Sequence, residues 1–331
     1  MSKTSQTLFL EKLLPTLNAI EAAGVWHIGK PAVRARKCTI YRVSGAHHQL
    51  ALKVYKPDLV SEAAPRIQYD ALKRCNDAEQ NQPLLRAPTT LALLPDERAI
   101  LMKWQTAPTL RSTLWRKTAS PHKRLGLIKS VGRWLRAFHE LSSIETLPLN
   151  GNKLLSKLDT QMNRKPEAVA LLKKQASFDE AMSCFRELAT TCTVLTPHAL
   201  LHGDFTPTNL LVENAGIIGM DMWGTRHAPV YEDITRMLAY LGVVSPFALQ
   251  AAPLGPNGPL INAFIRGYGE DMANTSTNAF PLILLYQQLR RWLIYADKRN
   301  SHPLSPLAHW QLTKNRHLCV QTHNWLNHCK S

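Results

Sequence analysis

The sequence predicts an α+β chain in two lobes, a small β-rich lobe over residues 1–103 and a larger, mainly helical lobe over 104–331. Two observations carry this reading. Short apolar runs of strand length, 50–55 and 99–104, fall in the first third, and apolar residues recur at helical spacing beyond it. The length of 331 residues suits about two compact units.

Taken in order, the chain opens with a stretch expected to be helical. Residues 1–11 lack the long apolar segment and small-residue cleavage site of a signal peptide. No apolar run approaches the ~20 residues needed to cross a bilayer, so a cytoplasmic location is expected. Within residues 26–43, Lys30, Arg34, Arg36 and Lys37 read as a solvated basic loop in preference to a set of phosphate contacts. The run 50–55 is an apolar strand that carries one charge, Lys53, and 99–104 is a strand ending at Lys103 and Trp104.

Further on, Leu125, Ile128, Val131, Leu135 and Phe138 make one apolar stripe, while Arg124, Lys129, Arg133 and Arg136 fall largely elsewhere. This predicts a core helix of the larger lobe. Residues 150–189 are also helical in pattern, and Pro and Asn cluster over 251–262 as a loop. The cysteines, Cys38, Cys75, Cys184, Cys192, Cys319 and Cys329, show no paired Cys-x-x-Cys spacing and read as reduced, mostly buried thiols. The tail gathers His317, Cys319, His323, His328 and Cys329, which read as an amphipathic helix in preference to a zinc site.

The most informative segment is His202-Gly203-Asp204-Phe205-Thr206-Pro207-Thr208-Asn209, followed by apolar runs at 210–212 and 217–220 and then Asp221. Glu213, Asn214, Ala215 and Gly216 separate those runs as a hairpin turn would. A hairpin would bring Asn209 and Asp221 together on one cation. Phosphoryl transfer requires an oxygen acceptor to orient the attacking hydroxyl and further oxygens to hold metal ions on the nucleotide phosphates. Asp204, Asn209 and Asp221 supply those groups.

This segment resembles the aminoglycoside and choline phosphotransferases, which share the protein-kinase-like fold and read His-Gly-Asp where protein kinases read His-Arg-Asp. The resemblance implies ATP and Mg2+ as cofactors, Asp204 as the base, Asn209 and Asp221 as magnesium ligands, and a structural His202. It implies that Lys53 contacts the nucleotide phosphates and that the strand end at Lys103 and Trp104 reads the adenine. Asp233 would brace the catalytic loop. The phosphate-covering segment departs from the family in holding only Gly29. The acid that normally pairs with the nucleotide Lys is also replaced: Gln68 stands at its position, with Glu62 and Asp70 as alternatives.

The net charge of +16 favours anionic partners. After residue 280, Arg290, Arg291, Lys298, Arg299, Lys314, Arg316 and Lys330 face one acid, Asp297. An aminoglycoside or choline would call for acidic or aromatic groups, and Glu270 and Asp271 are the candidates for holding an amine. The expected activity is therefore ATP-dependent transfer of a phosphoryl group to a hydroxyl of a small molecule, with an anionic acceptor such as a phosphorylated sugar or lipid-linked saccharide. A nucleic acid or an anionic membrane surface is the other partner that the charge suits. A pseudokinase or nucleic-acid-binding regulator, and a protein kinase, are the competing readings. No Gly-x-x-x-x-Gly-Lys-Ser/Thr loop occurs, which argues against a P-loop kinase.

Overall fold

The computed structural model describes residues 3–21, 24–115, 120–214, 216–224, 226–244, 258–270 and 279–330. It divides into two compact units, Met1–Ala107 with Ile218–Thr225, and Pro108–Ile217 with Arg226–Ser331.

The first unit contains α1 (Lys3–Ile20), β1 (His27–Arg34), β2 (Cys38–Ser44), β3 (Gln49–Tyr55), α2 (Ala64–Ala78), β4 (Thr90–Leu94) and β5 (Ala99–Lys103). The strands form one antiparallel sheet in the order β1-β2-β3-β5-β4. β3 lies in the middle, which explains its sequence. A strand covered on both faces carries a continuous apolar run instead of an alternating one, and Leu50, Ala51 and Leu52 are all buried. Leu13 and Leu17 of α1 close one side of this core with Trp26, Tyr41 and Val43. Lys53 follows in the same strand, paired with Ile40 on one side and Ile100 on the other.

The expected boundary after Lys103 falls inside this unit. Trp104 N–H donates to Gln49 O at 3.1 Å, and the Arg42 guanidinium lies 4.5 Å from the Trp104 ring centroid. These contacts carry the chain on to Ala107.

The second unit contains α3 (Leu110–Trp115), α4 (Pro121–His139), β6 (Glu145–Pro148), α5 (Gly151–Asn163), α6 (Pro166–Leu172), α7 (Ala176–Thr191) and β7 (Leu195–Leu200). After these come β8 (Leu210–Glu213), β9 (Gly216–Gly219, whose last two residues belong to the first unit), β10 (His227–Pro229), α8 (Tyr231–Val244), α9 (Pro259–Tyr268), α10 (Ala279–Ser301) and α11 (Pro306–Lys330). β10, β7 and β6 form a small antiparallel sheet, and β8 pairs with β9 as the hairpin expected over 210–220. Asn214, in the turn, takes the left-handed φ of 43° that such a turn requires.

The stripe read on 124–141 is the buried face of α4, where Ile128, Val131, Trp134, Leu135 and Phe138 are almost wholly inaccessible. The Ser120 side chain caps this helix by accepting from Lys123 N–H. α4 and α9 approach backbone to backbone. A Cβ on Gly132 would stand 2.3 Å from Phe264 O, and one on Gly267 would stand 2.0 Å from Lys129 O. Of the loop expected over 251–262, residues 251–257 lie outside the described residues, and α9 begins at Pro259. Proline suits a first helical position because the N–H it lacks has no intrahelical acceptor there.

Among the described residues no helix is long and apolar enough to cross a membrane. None gathers three or more His, Cys, Asp or Glu side chains as a metal cluster. Cys319 is fully buried, with its thiol raised well above its ordinary range by desolvation, as a packing residue would be. Asp271 and the side chains of His328, Cys329 and Trp325 lie outside the described residues.

Candidate active site

The loop over 202–209 belongs to the second unit. Loop geometry begins at Asp233, which is wholly buried near the start of α8. Its carboxylate accepts His202 N–H at 2.7 Å and Gly203 N–H at 3.2 Å, and His139 Nε2 lies 3.3 Å away. An ionised carboxylate has no proton to offer, so Nε2 is the donor and His139 Nδ1 faces the Tyr268 hydroxyl at 2.7 Å. Burial alone would push the Asp233 carboxyl upward. The hydrogen bond from His139, with the charges of His139, His202 and Arg236, outweighs it and holds the group below its ordinary range.

His202 is a packing residue, as expected. It is inaccessible, and its ring meets Trp134 and Phe205 edge-on at centroid distances of 5.9 and 5.4 Å. Gly203 takes φ 84°, a conformation that side-chain-bearing residues rarely adopt. This turn delivers Asp204 into a cavity with half of its side chain exposed.

Asp204 is held from two sides. Asn209 Nδ2 donates to Asp204 Oδ2 and to the Asp204 backbone carbonyl, each at 2.9 Å. Both amide protons are thereby engaged, and the Asn209 carbonyl oxygen is left for another partner. Arg236 lies 3.4 Å from Asp204 Oδ1 and also donates to Gly203 O. The 210 Å³ cavity is lined further by Tyr240, Arg290, Arg291, Tyr295 and Lys298.

Lys53 and Asp221 belong to the first unit, and the structure brings them together. Lys53 is only 4% exposed, and its ammonium donates to Asp221 Oδ1 and, at 2.7 Å, to Gln68 Oε1. The Tyr55 hydroxyl donates to the same Gln68 oxygen. Of the three residues left open by sequence, Gln68 is the one that meets Lys53. Burial works against the charge on Lys53, but the Asp221 carboxylate outweighs it and raises its pKa above the ordinary lysine range.

Asp221 has a left-handed φ of 56°, and neighbouring backbone contacts fix its segment. Gly219 N–H donates to Arg86 O at 2.9 Å, Arg74 donates to Gly224 O at 3.1 Å, and Cys75 Sγ lies 3.5 Å from Met222 Sδ. The Asp221 side chain stays 43% exposed, so its second oxygen can meet a cation.

Lys103 is exposed, and its N–H donates to Thr89 O at 2.9 Å. With Trp104 N–H committed to Gln49, neither residue has a backbone donor left for a purine. Of the four residues expected in one basic loop, Lys30 and Arg34 belong to strand β1 and only Arg36 and Lys37 to the turn after it; all four are exposed, and Lys37 lies 5.3 Å from the Trp223 ring centroid.

Sequence reasoning missed Tyr55, Arg236, His139 and Tyr268. Arg236 had a readable signal, since it lies one turn from Asp233 on the same predicted helix. The others become relevant only through contacts between distant segments.

These features define an α+β, protein-kinase-like fold. Residues 39–275 match the model of the phosphotransferase enzyme family, and the chain belongs to that family. It is a phosphotransferase with a hydroxyl group as acceptor, of the kind that acts on small molecules.

Among solved structures, a glucosamine kinase in complex with glucosamine, ADP and inorganic phosphate is 17% identical, with a TM-score of 0.63 over 97% of this chain and 87% of that one. A choline kinase from Streptococcus pneumoniae is 11% identical, with a TM-score of 0.57 over 98% and 100%. A spectinomycin phosphotransferase in complex with ADP and spectinomycin is 15% identical, with a TM-score of 0.53 over 95% and 97%. At these identities the likeness is one of fold. No curated protein sequence gave a match.

Proposed function

We propose that this chain is an ATP- and magnesium-dependent O-phosphotransferase whose acceptor is a small, negatively charged molecule with a free hydroxyl. The observation that carries the proposal is the setting of Asp204. Its carboxylate is half exposed in a cavity, tethered by Asn209 at one oxygen and neighboured by Arg236 at the other. A carboxylate fixed at both oxygens keeps its lone pairs aimed and loses little entropy when a hydroxyl arrives. In this reading Asp204 aligns the acceptor hydroxyl. It takes that proton as the acceptor oxygen bonds to the γ-phosphorus and the bond from that phosphorus to ADP breaks.

The remaining roles follow from donor chemistry. The Asn209 carbonyl oxygen and the second Asp221 oxygen are hard ligands of the kind that magnesium prefers. When bound, magnesium neutralises charge on the β and γ phosphates. Lys53, kept protonated in a buried strand, supplies the cation for the α and β phosphates. Around Lys103 and Trp104 the adenine is read through backbone acceptors or the indole face, because the sheet has taken both N–H groups. The anionic acceptor is supported by the basic lining of the Asp204 cavity, which contrasts with the acidic or aromatic surroundings that an amine requires.

The test is transfer of labelled γ-phosphate from Mg-ATP into fractionated small molecules of a cell extract. The wild-type protein should label one species. Asp204→Asn should lower that transfer by about 10²–10⁴-fold while Mg-ADP affinity stays unchanged. Asp204→Asn that transfers at near wild-type rate overturns the assignment.

A further inference from the structure

Helix α10 is mostly core: Phe280, Leu282, Ile283, Leu285, Leu289, Trp292, Leu293 and Ala296 are all buried. One stripe departs from this. Arg290, Arg291, Tyr295 and Lys298 recur at the spacing of one helix face, and all line the Asp204 cavity. α10 begins after residue 275, the last residue of the family match, so this stripe is not part of the pattern that defines the family.

The cations of this stripe are not paired with acids. Among the described residues no carboxylate forms an ion pair with Arg290, Arg291 or Lys298, and Asp204 is the one acidic side chain of the cavity lining. Arg291 is positioned by aromatic groups instead. Its guanidinium sits 3.7 Å from the Tyr240 ring centroid, and Nη1 donates to the Tyr295 hydroxyl at 3.4 Å. The Nε atoms of Arg236, Arg290 and Arg291 are all buried without a hydrogen-bond partner. Burial, with Arg236 and Arg291 close by, holds the Arg290 guanidinium below its ordinary pKa.

A fold that gathers like charges around one cavity without counter-charges is destabilised there unless an anion completes the site. A carboxylate brings a single charge and would leave most of this excess in place. A phosphomonoester carries close to two negative charges and has the oxygen geometry that guanidinium forks match. The cavity, at 210 Å³, holds about seven water-sized groups. That suffices for a phosphate on a short polyol or sugar.

Resting on the phosphotransferase reading above, we propose that the acceptor is itself a phosphomonoester, held through its phosphate by Arg290, Arg291 and Lys298 while a free hydroxyl reaches Asp204. The product then carries two phosphates, and the reaction that supplies the substrate is one that generates a phosphomonoester.

The binding test needs no turnover. Calorimetry on full-length Asp204→Asn protein would use inorganic phosphate, glucose 6-phosphate against glucose, and glycerol 3-phosphate against glycerol. Inorganic phosphate should bind, and at least one phosphorylated probe should bind tenfold or more tightly than its parent. Arg290→Gln, Arg291→Gln and the exposed Lys298→Gln should each weaken phosphate binding several-fold and leave Mg-ADP affinity unchanged.

No binding of inorganic phosphate, or equal binding within every pair, overturns the proposal. Loss of Mg-ADP affinity in these variants also overturns it, assigning the cluster to the nucleotide. Arg290-dependent phosphate binding with no Asp204-dependent transfer upholds the site and refutes the phosphotransfer role of Asp204. Asp204-dependent transfer that ignores Arg290, Arg291 and Lys298 does the reverse.

Discussion

Replacing Asp233 by alanine removes three interactions at once from a place with no access to water: the acceptors of His202 N–H and Gly203 N–H, and the partner of His139 Nε2. Each orphaned buried donor costs about 1–3 kcal/mol, and the two backbone groups alone put the loss at roughly 2–6 kcal/mol. That is a large share of the ~5–15 kcal/mol that holds a typical domain together. Asp233→Asn keeps one oxygen but turns an N–H toward a donor, so it should lose about 1–3 kcal/mol. The sign with pH follows from the depressed pKa. The contribution is complete above the unfolded carboxylate value, ~3.9, and is lost as pH falls through the lower folded value.

The assay is urea unfolding of wild type, Asp233→Asn and Asp233→Ala at pH 7, repeated downward to pH 3, with amide hydrogen exchange read at His202 and Gly203. The midpoint should fall in that order, and the two amides should lose protection before the rest of α8. The difference between wild type and variants should shrink at the acid end. A shift equivalent to less than about 1 kcal/mol for Asp233→Ala, which is the size of an average point substitution, refutes the argument that this carboxylate holds the loop. Unchanged protection of both amides refutes it equally.

Glu232 is also buried and depressed: burial pushes its carboxyl up, and the fork from Arg226 outweighs that. Glu232→Gln should therefore flatten the acid limb of the stability curve, and an acid limb identical to wild type would count against the pair. Gly267→Ala drives a Cβ into Lys129 O and should lower stability by about 1–3 kcal/mol through separation of α4 from α9; an unchanged melting temperature would show that the helices are not in backbone contact. Gln68→Glu gives Lys53 a second carboxylate and releases Asp221 for metal, so Mg-ADP should bind several-fold more tightly by calorimetry, and weaker binding would contradict it. Cys38, Cys75, Cys184, Cys192 and Cys319 are buried, and burial pushes the Cys75 thiol up to about 12. A thiol reagent at pH 8 should leave all of them unmodified until denaturant is added, with mass spectrometry locating the label.

The placements legible in the sequence are those set by local structure. His202, Asp204 and Asn209 share one short loop, and the turn at Gly203 and the amide tether of Asn209 operate within it. The hairpin after it was readable because its turn residues separate two apolar runs. The central strand around Lys53 was readable because burial on both faces makes its apolar run continuous. The start of α9 was not, because proline both ends loops and begins helices, and only the backbone of the following turn distinguishes the two.

What stayed hidden depends on which distant side chains meet. Gln68 was one of three candidates because the point where α2 begins, after Glu62, and its rotation, which decides between positions 68 and 70, set what faces β3, and periodicity fixes neither. The loop brace needs Asp233, His139 and Tyr268 from three helices, and the α4–α9 approach is set by two glycines that have no side-chain signal of their own. The α10 stripe is a different case. Arg290, Arg291 and Lys298 were visible as charge, and 290, 291, 295 and 298 as a helical face. A basic face usually means solvent, however, and only the concavity these side chains line with Asp204 and Arg236 separates a cavity from a wet surface. Composition therefore favours an anion, and the location proposed for it is the cavity that holds Asp204.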